Sequence, residues 1–207
     1  WLRRLDGSMT LLLVDTVPES IFHRDLSNGL RLNPHLAKAS ALVLAIDPTQ
    51  IDPSGELLPR HRRLPPDPYV IHGSFLFDLI RLLEHSQAAG QGLQFDTPLA
   101  VVVTKCDLLR DAGLIEWNRL WNTDFRHSGS FCRAAHEDMN GMMAQVLCRL
   151  IPEVYNVIRL RFRRHAVFGV SATGCAPMNG KYPHISPWRV EDPLLWLLAE
   201  FGLIPTN

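Results

Sequence analysis

The chain has no excess of charge of either sign: 21 Lys and Arg stand against 21 Asp and Glu in 207 residues. A chain without net charge exerts no long-range attraction on a polyphosphate or an anionic lipid surface, so neither nucleic acid nor a membrane is expected as a partner. Long apolar runs are missing too, and nothing approaches the roughly 20 residues a bilayer-spanning helix needs. With no signal-peptide pattern before the domain, a cytoplasmic location is expected. Cysteine is scarce. Cys106, Cys132, Cys148 and Cys175 fall singly, without the paired spacing of a zinc site or the density of a disulfide scaffold, and read as reduced thiols. The nine histidines include no His-x-x-x-His pair, so no zinc site is expected. No Gly-x-Ser-x-Gly elbow is present to support a serine hydrolase.

What is present is apolar content in short, separated runs. With 46% hydrophobic and 20% charged residues, the chain can bury a sizeable core, and a single domain over 1–207 is expected. Thr10-Leu11-Leu12-Leu13-Val14-Asp15-Thr16, Ala41-Leu42-Val43-Leu44-Ala45-Ile46-Asp47, Pro98-Leu99-Ala100-Val101-Val102-Val103 and Ala166-Val167-Phe168-Gly169-Val170 each read as a buried strand. Helical stretches alternate with them. The expected class is α/β, a doubly wound and mostly parallel sheet flanked by helices.

In open α/β sheets, ligands sit beyond the carboxyl ends of the strands, which makes the residues there informative. The third of these runs delivers Thr104-Lys105-Cys106-Asp107. A carboxylate held at a strand end accepts two hydrogen bonds from the N1–H and exocyclic N2–H₂ of guanine, a pair adenine does not offer. Asp107 is thereby a candidate base selector. The aliphatic stem of Lys105 can lie over a purine face while its ammonium stays wet. About sixty residues on, the fourth run ends in Ser171-Ala172-Thr173-Gly174, where small residues let the main chain approach a ligand.

These two tetrapeptides, in this order, resemble the fourth (Asn/Thr-Lys-x-Asp) and fifth (Ser-Ala-x-Gly) motifs of the P-loop GTPases. The resemblance implies GTP or GDP with Mg²⁺ as ligand, with Thr104, Lys105, Asp107, Ser171 and Ala172 binding the nucleotide. By the same resemblance the first run ends where the family carries Asp-x-x-Gly, which implies that Asp15 reaches Mg²⁺ through water. Two departures stand against full activity. Pro18 replaces the Gly of that motif and has no N–H to offer a γ-phosphate. No Gly-x-x-x-x-Gly-Lys-Ser/Thr occurs, and the nearest look-alike, Asn179-Gly180-Lys181-Tyr182, reads as a turn.

Trp1-Leu2-Arg3-Arg4-Leu5 followed by Asp6-Gly7 reads as a strand entering a hairpin. In the Ras-like order this makes it the second strand, so the first strand and the phosphate-binding loop are expected upstream. The expected function is a guanine-nucleotide-binding regulatory switch within a larger protein or complex, with a protein partner. GTP hydrolysis is expected only with an upstream phosphate loop, and Glu19 is the one nearby candidate for positioning water. The other reading is a non-catalytic pseudo-GTPase that binds partners through the Arg60-His61-Arg62-Arg63 loop or a methionine stripe. The strand end Ile46-Asp47-Pro48-Thr49-Gln50, the tail Val190-Glu191-Asp192-Pro193-Leu194-Leu195-Trp196-Leu197-Leu198 and the replaced Asp-x-x-Gly at Asp15 together are similar to the bacterial double-GTPase group.

Between the motifs, Asp47 before Pro48 reads as a turn former. Residues 52–69, with five prolines, read as an exposed loop. Ile71, Phe75, Leu76, Leu79, Ile80, Leu82 and Leu83 recur at helical spacing. So do Phe131, Ala134, Ala135, Met139, Met142, Met143, Val146, Leu147 and Leu150, with Pro152 as the break and core packing as the expected use of the methionines. The alternation in Val157-Ile158-Arg159-Leu160-Arg161-Phe162-Arg163-Arg164 predicts a strand at a solvent-facing edge. Residues 188–202 carry the signs of a terminal helix: Asp at the cap, Pro in the first turn and Gly at the stop.

Overall fold

The strand buried along its whole length lies in the middle of the sheet, while the Leu42–Ile46 strand at the edge, equally apolar and expected to be buried, leaves Val43 57% exposed. The computed structural model describes residues 2–5, 8–11, 14, 34–51, 58, 73–86, 94–116 and 130–207, of which 2–5, 8–11 and 37 are described by their backbone alone. Strands β1 (Leu2–Leu5) and β2 (Ser8–Leu11) form an antiparallel hairpin, with Leu5 opposite Ser8. Strands β3 (Leu42–Ile46), β4 (Leu99–Val103) and β5 (His165–Gly169) form a parallel sheet in that order, in register Ile46 to Val103 to Gly169.

All five residues of β4 are buried. Leu99, Val101 and Val103 enter the larger core, while Ala100 and Val102 enter a smaller one on the other face. The alternation of a pleated strand, with both faces covered, is why its sequence is a continuous apolar run. The chain between β3 and β4 contributes helix α1 (Ser74–Ser86), whose Leu76, Leu79, Ile80 and Leu83 join the larger core. Between β4 and β5 lie α2 (Cys106–Asp111), α3 (Arg133–Leu150) and α4 (Pro152–Arg161). Met139, Met143, Val146 and Leu147 of α3 are buried in the core, as expected of that stripe. Helix α5 (Asp192–Glu200) lays Trp196 and Leu197 against the smaller core, beside Phe131 and Phe168. The architecture is thus mixed α/β, a three-stranded parallel sheet with helices on its faces.

Several expectations are corrected, beginning with the run at 10–16 read as a buried strand, in which β2 ends at Leu11 and Val14 is exposed outside any strand. Residues 157–161 are helical, belonging to α4, and the extended strand predicted for 157–164 does not form. The burial shows why: Val154, Tyr155, Ile158 and Phe162 line one face at helical spacing, while Leu160 is 68% exposed. Pro152 ends α3 and also opens α4 at its first turn, where a missing N–H costs nothing. At α5 the capping position is Glu191, without a side-chain cap, and Asp192 is the first helical residue, buried and paired with Arg189. Before β3 the chain forms a 3-10 turn, Leu36–Lys38. The expectations for Asp15, Pro18, Glu19, the 52–69 loop, Ile71 and the arginine cluster at 60–63 lie outside the described residues, apart from buried Leu58.

Candidate functional site

The parallel register brings the carboxyl ends of β3, β4 and β5 to one rim of the sheet. Thr104 leaves β4 with its N–H donating to Ile46 O at 2.9 Å and its hydroxyl to the same oxygen at 3.2 Å. Cys106 N–H donates to Val170 O at 3.0 Å on the β5 side. Lys105, between these two pinned residues, takes a left-handed backbone conformation (φ 52°, ψ 40°). For a side chain other than Gly this conformation costs about 1–2 kcal/mol, and it persists where neighbours over-determine it. Its ammonium is exposed and lies 2.5 Å from Asp47 Oδ2 at the end of β3.

Asp47 does form the turn expected of it. Oδ1 accepts from Thr49 N–H at 2.9 Å and Thr49 Oγ1 at 2.8 Å, capping the 3-10 helix Pro48–Gln50. Its carboxyl sits below the ordinary value: burial works against the charge, but the hydrogen bonds from Lys105 and Thr49 outweigh it. The ion pair with Lys105 spans 58 positions in sequence, and no local pattern announces it.

Asp107 follows in the first turn of α2 and is 3% exposed. Its Oδ1 accepts from Ser171 Oγ at 2.6 Å, and Ser171 Oγ in turn accepts Gly174 N–H at 2.8 Å. Fully buried Ser171 is also fixed through its backbone, exchanging bonds with Trp188 of 3.1 and 2.7 Å. The two tetrapeptides are therefore joined by a buried hydrogen-bond chain, Gly174 to Ser171 to Asp107. Asp107 Oδ2 has no partner among the described residues. Ala172 is exposed, and neither its N–H nor that of Thr173 is used in a hydrogen bond among the described residues. The rim thus offers a carboxylate oxygen and two N–H groups that make no hydrogen bond among the described residues, together with the stem of a lysine.

Glycine is required at two places. Gly174 has φ +74°, and a Cβ there would run into the Ser186 carbonyl oxygen. Gly169, at the end of β5, would place a Cβ 2.8 Å from both Cys106 Sγ and Met143 Sδ, so its bareness lets α2 and α3 close on the sheet. Cys106 has its thiol pushed up to about 12, chiefly by burial with the Asp107 charge adding, and donates to Val103 O at 3.3 Å. It is a packing residue. The sulfur of Cys175 goes elsewhere, donating to His184 O at 3.3 Å. Asn179-Gly180 is a turn, as expected, with both residues at positive φ and Met178 paired to Lys181 across it.

Thr104, Lys105, Asp107, Ser171 and Ala172 are thus all at this rim, while Asp15 and Glu19 lie outside the described residues. Among the described residues no group of His, Cys, Asp and Glu is arranged to hold a metal ion, and no helix is long and apolar enough to cross a membrane. Comparison of the chain with family models, curated proteins and solved structures finds no match.

Proposed function

We propose that this rim is a guanine-nucleotide base site and that the chain is a guanine-nucleotide-binding, GTPase-like domain acting as a regulatory switch within a larger protein or complex. The observation that carries the reading is the Asp107 carboxylate. One oxygen is fixed by Ser171, and the other makes no hydrogen bond among the described residues, nor do the N–H groups of Ala172 and Thr173 that follow Ser171. A ring edge with two adjacent donors and one acceptor answers that set. Guanine has N1–H and N2–H₂ for the carboxylate and O6 for a backbone N–H. Adenine presents an acceptor where guanine has N1–H and a donor where it has O6, so it meets repulsion at both places. Lys105 supplies an apolar stem for the ring face.

GTP or GDP with Mg²⁺ is the ligand in this reading, and Asp15 is its residue toward the metal. Hydrolysis belongs to it only where an upstream phosphate-binding loop is supplied, because no such loop stands among these residues.

Calorimetric titration of the full-length protein with Mg²⁺-GDP, and with Mg²⁺-ADP as control, tests the reading. Selective GDP binding is expected. The variant Asp107→Asn keeps an oxygen for Ser171 but turns one acceptor into a donor. It should lose at least about a hundredfold in GDP affinity, from two charge-assisted hydrogen bonds. It should gain xanthosine diphosphate binding, whose 2-carbonyl accepts from the new amide. Equal affinity for GDP and ADP, or no binding of either, refutes the base site.

A further inference from the structure

Lysine has four rotatable bonds, so an exposed lysine left to itself presents no fixed surface. Lys105 is held at both ends. Its Cα is fixed by the bonds of Thr104 to Ile46 and of Cys106 to Val170, and its Nζ by Asp47. Asp47 is itself immobilised by two bonds from Thr49 on its other oxygen. The alkyl stem therefore runs from the end of β4 to the end of β3.

We propose that Asp47 is the positioning residue of this site, fixing the Lys105 stem as a preformed platform for one face of a purine ring while Asp107 reads the ring edge. The proposal rests on the guanine reading above. Asp47 touches no ligand in this role and acts through Lys105. Preforming the platform removes an ordering cost that would otherwise fall on binding.

A double-mutant cycle in the full-length protein separates this from a merely structural role, with Asp47→Asn, Lys105→Met and the pair, each titrated with Mg²⁺-GDP. Asparagine at position 47 still caps the Thr49 turn, so the fold is kept and only the charge on Lys105 is withdrawn. Asp47→Asn should weaken GDP about fivefold in the wild-type background, the scale of one partly exposed ion pair, and change nothing in the Lys105→Met background. Equal losses in both backgrounds, or no loss in the first, overturn the proposal. A second readout needs no nucleotide: the ¹H–¹⁵N signal of the Lys105 ammonium should be protected in the wild type and lost in Asp47→Asn. Absence of that protection in the wild type also overturns it. Failure of the guanine reading is seen separately, as wild-type protein that does not prefer GDP over ADP, and it removes the platform's ligand along with the proposal.

Discussion

His136 should make the stability of this protein fall steeply below neutral pH. The ring sits on α3, 7% exposed, with ring centroids 5.3 Å from Phe131, 5.0 Å from Phe168 and 6.3 Å from Trp196. Its Nδ1 is sealed and has no hydrogen-bond partner among the described residues. Burial is the main cause that lowers its pKa to about 4, the Arg189 and Arg133 charges act in the same direction, and Asp192 opposes them. In the unfolded chain the same ring titrates near 6.5. Between those two values the unfolded state binds the extra proton, so stability is flat above about pH 6.5 and declines as pH falls toward 4. The loss amounts to about 3 kcal/mol by pH 4, because each pH unit between the two values contributes about 1.36 kcal/mol. Carboxylates also titrate at the acid end, so the informative quantity is a difference between proteins. Urea unfolding midpoints of the wild type and of His136→Phe should be measured at several pH values from 7.5 to 4, with His136→Leu as a second variant in case the larger ring strains the cluster. The wild type should lose about 3 kcal/mol relative to the variant across that window. At neutral pH the variant should be the more stable by about 1 kcal/mol, since it removes a buried unsatisfied nitrogen. A difference that stays constant from pH 7.5 to 4 refutes the argument that this ring is held neutral by burial.

Two further predictions concern the packing behind the rim. Gly174→Ala should cost at least about 2 kcal/mol in urea unfolding, combining a left-handed backbone with a Cβ driven against the Ser186 carbonyl, and it should weaken GDP binding by displacing Ser171. A variant as stable as the wild type would show that the loop after Ser171 is not held as described. In alkylation with iodoacetamide at pH 8 followed by mass spectrometry, exposed Cys148 should label rapidly and buried Cys106 only on unfolding. Equal rates at the two positions would contradict the burial of Cys106.

Much of the scaffold is legible in the sequence because the forces that form it are local or two-sided. A run such as Leu99-Ala100-Val101-Val102-Val103 suits a strand covered on both faces, and that is where it lies. The pairing of β1 with β2 and the α3 stripe ending before Pro152 likewise need no tertiary information. Residues 157–161 mislead because Val157-Ile158-Arg159-Leu160-Arg161 fits a period of 2 and one of 3.6 equally well over so short a span. What decides between them is the sheet edge. Asn140 Oδ1 from α3 accepts Val167 N–H at 2.7 Å on β5, and the α4 face of Val154, Tyr155 and Ile158 finds its burial against the larger core.

The site divides the same way. Residue types at strand ends are written in sequence, so Thr104, Lys105, Asp107, Ser171 and Ala172 can be picked out as acceptors, stems and small residues without a structure. Which of them meet depends on the register Ile46 to Val103 to Gly169, fixed by packing contributed from distant parts of the chain. That register alone sets Asp47 against Lys105 and Ser171 against Asp107. The sequence by itself determined the strand chemistry and the turn residues, since these answer to neighbours within a few positions. The tertiary structure decided the partners, because a hydrogen bond is made at about 3 Å and only the closed core brings those ends that near.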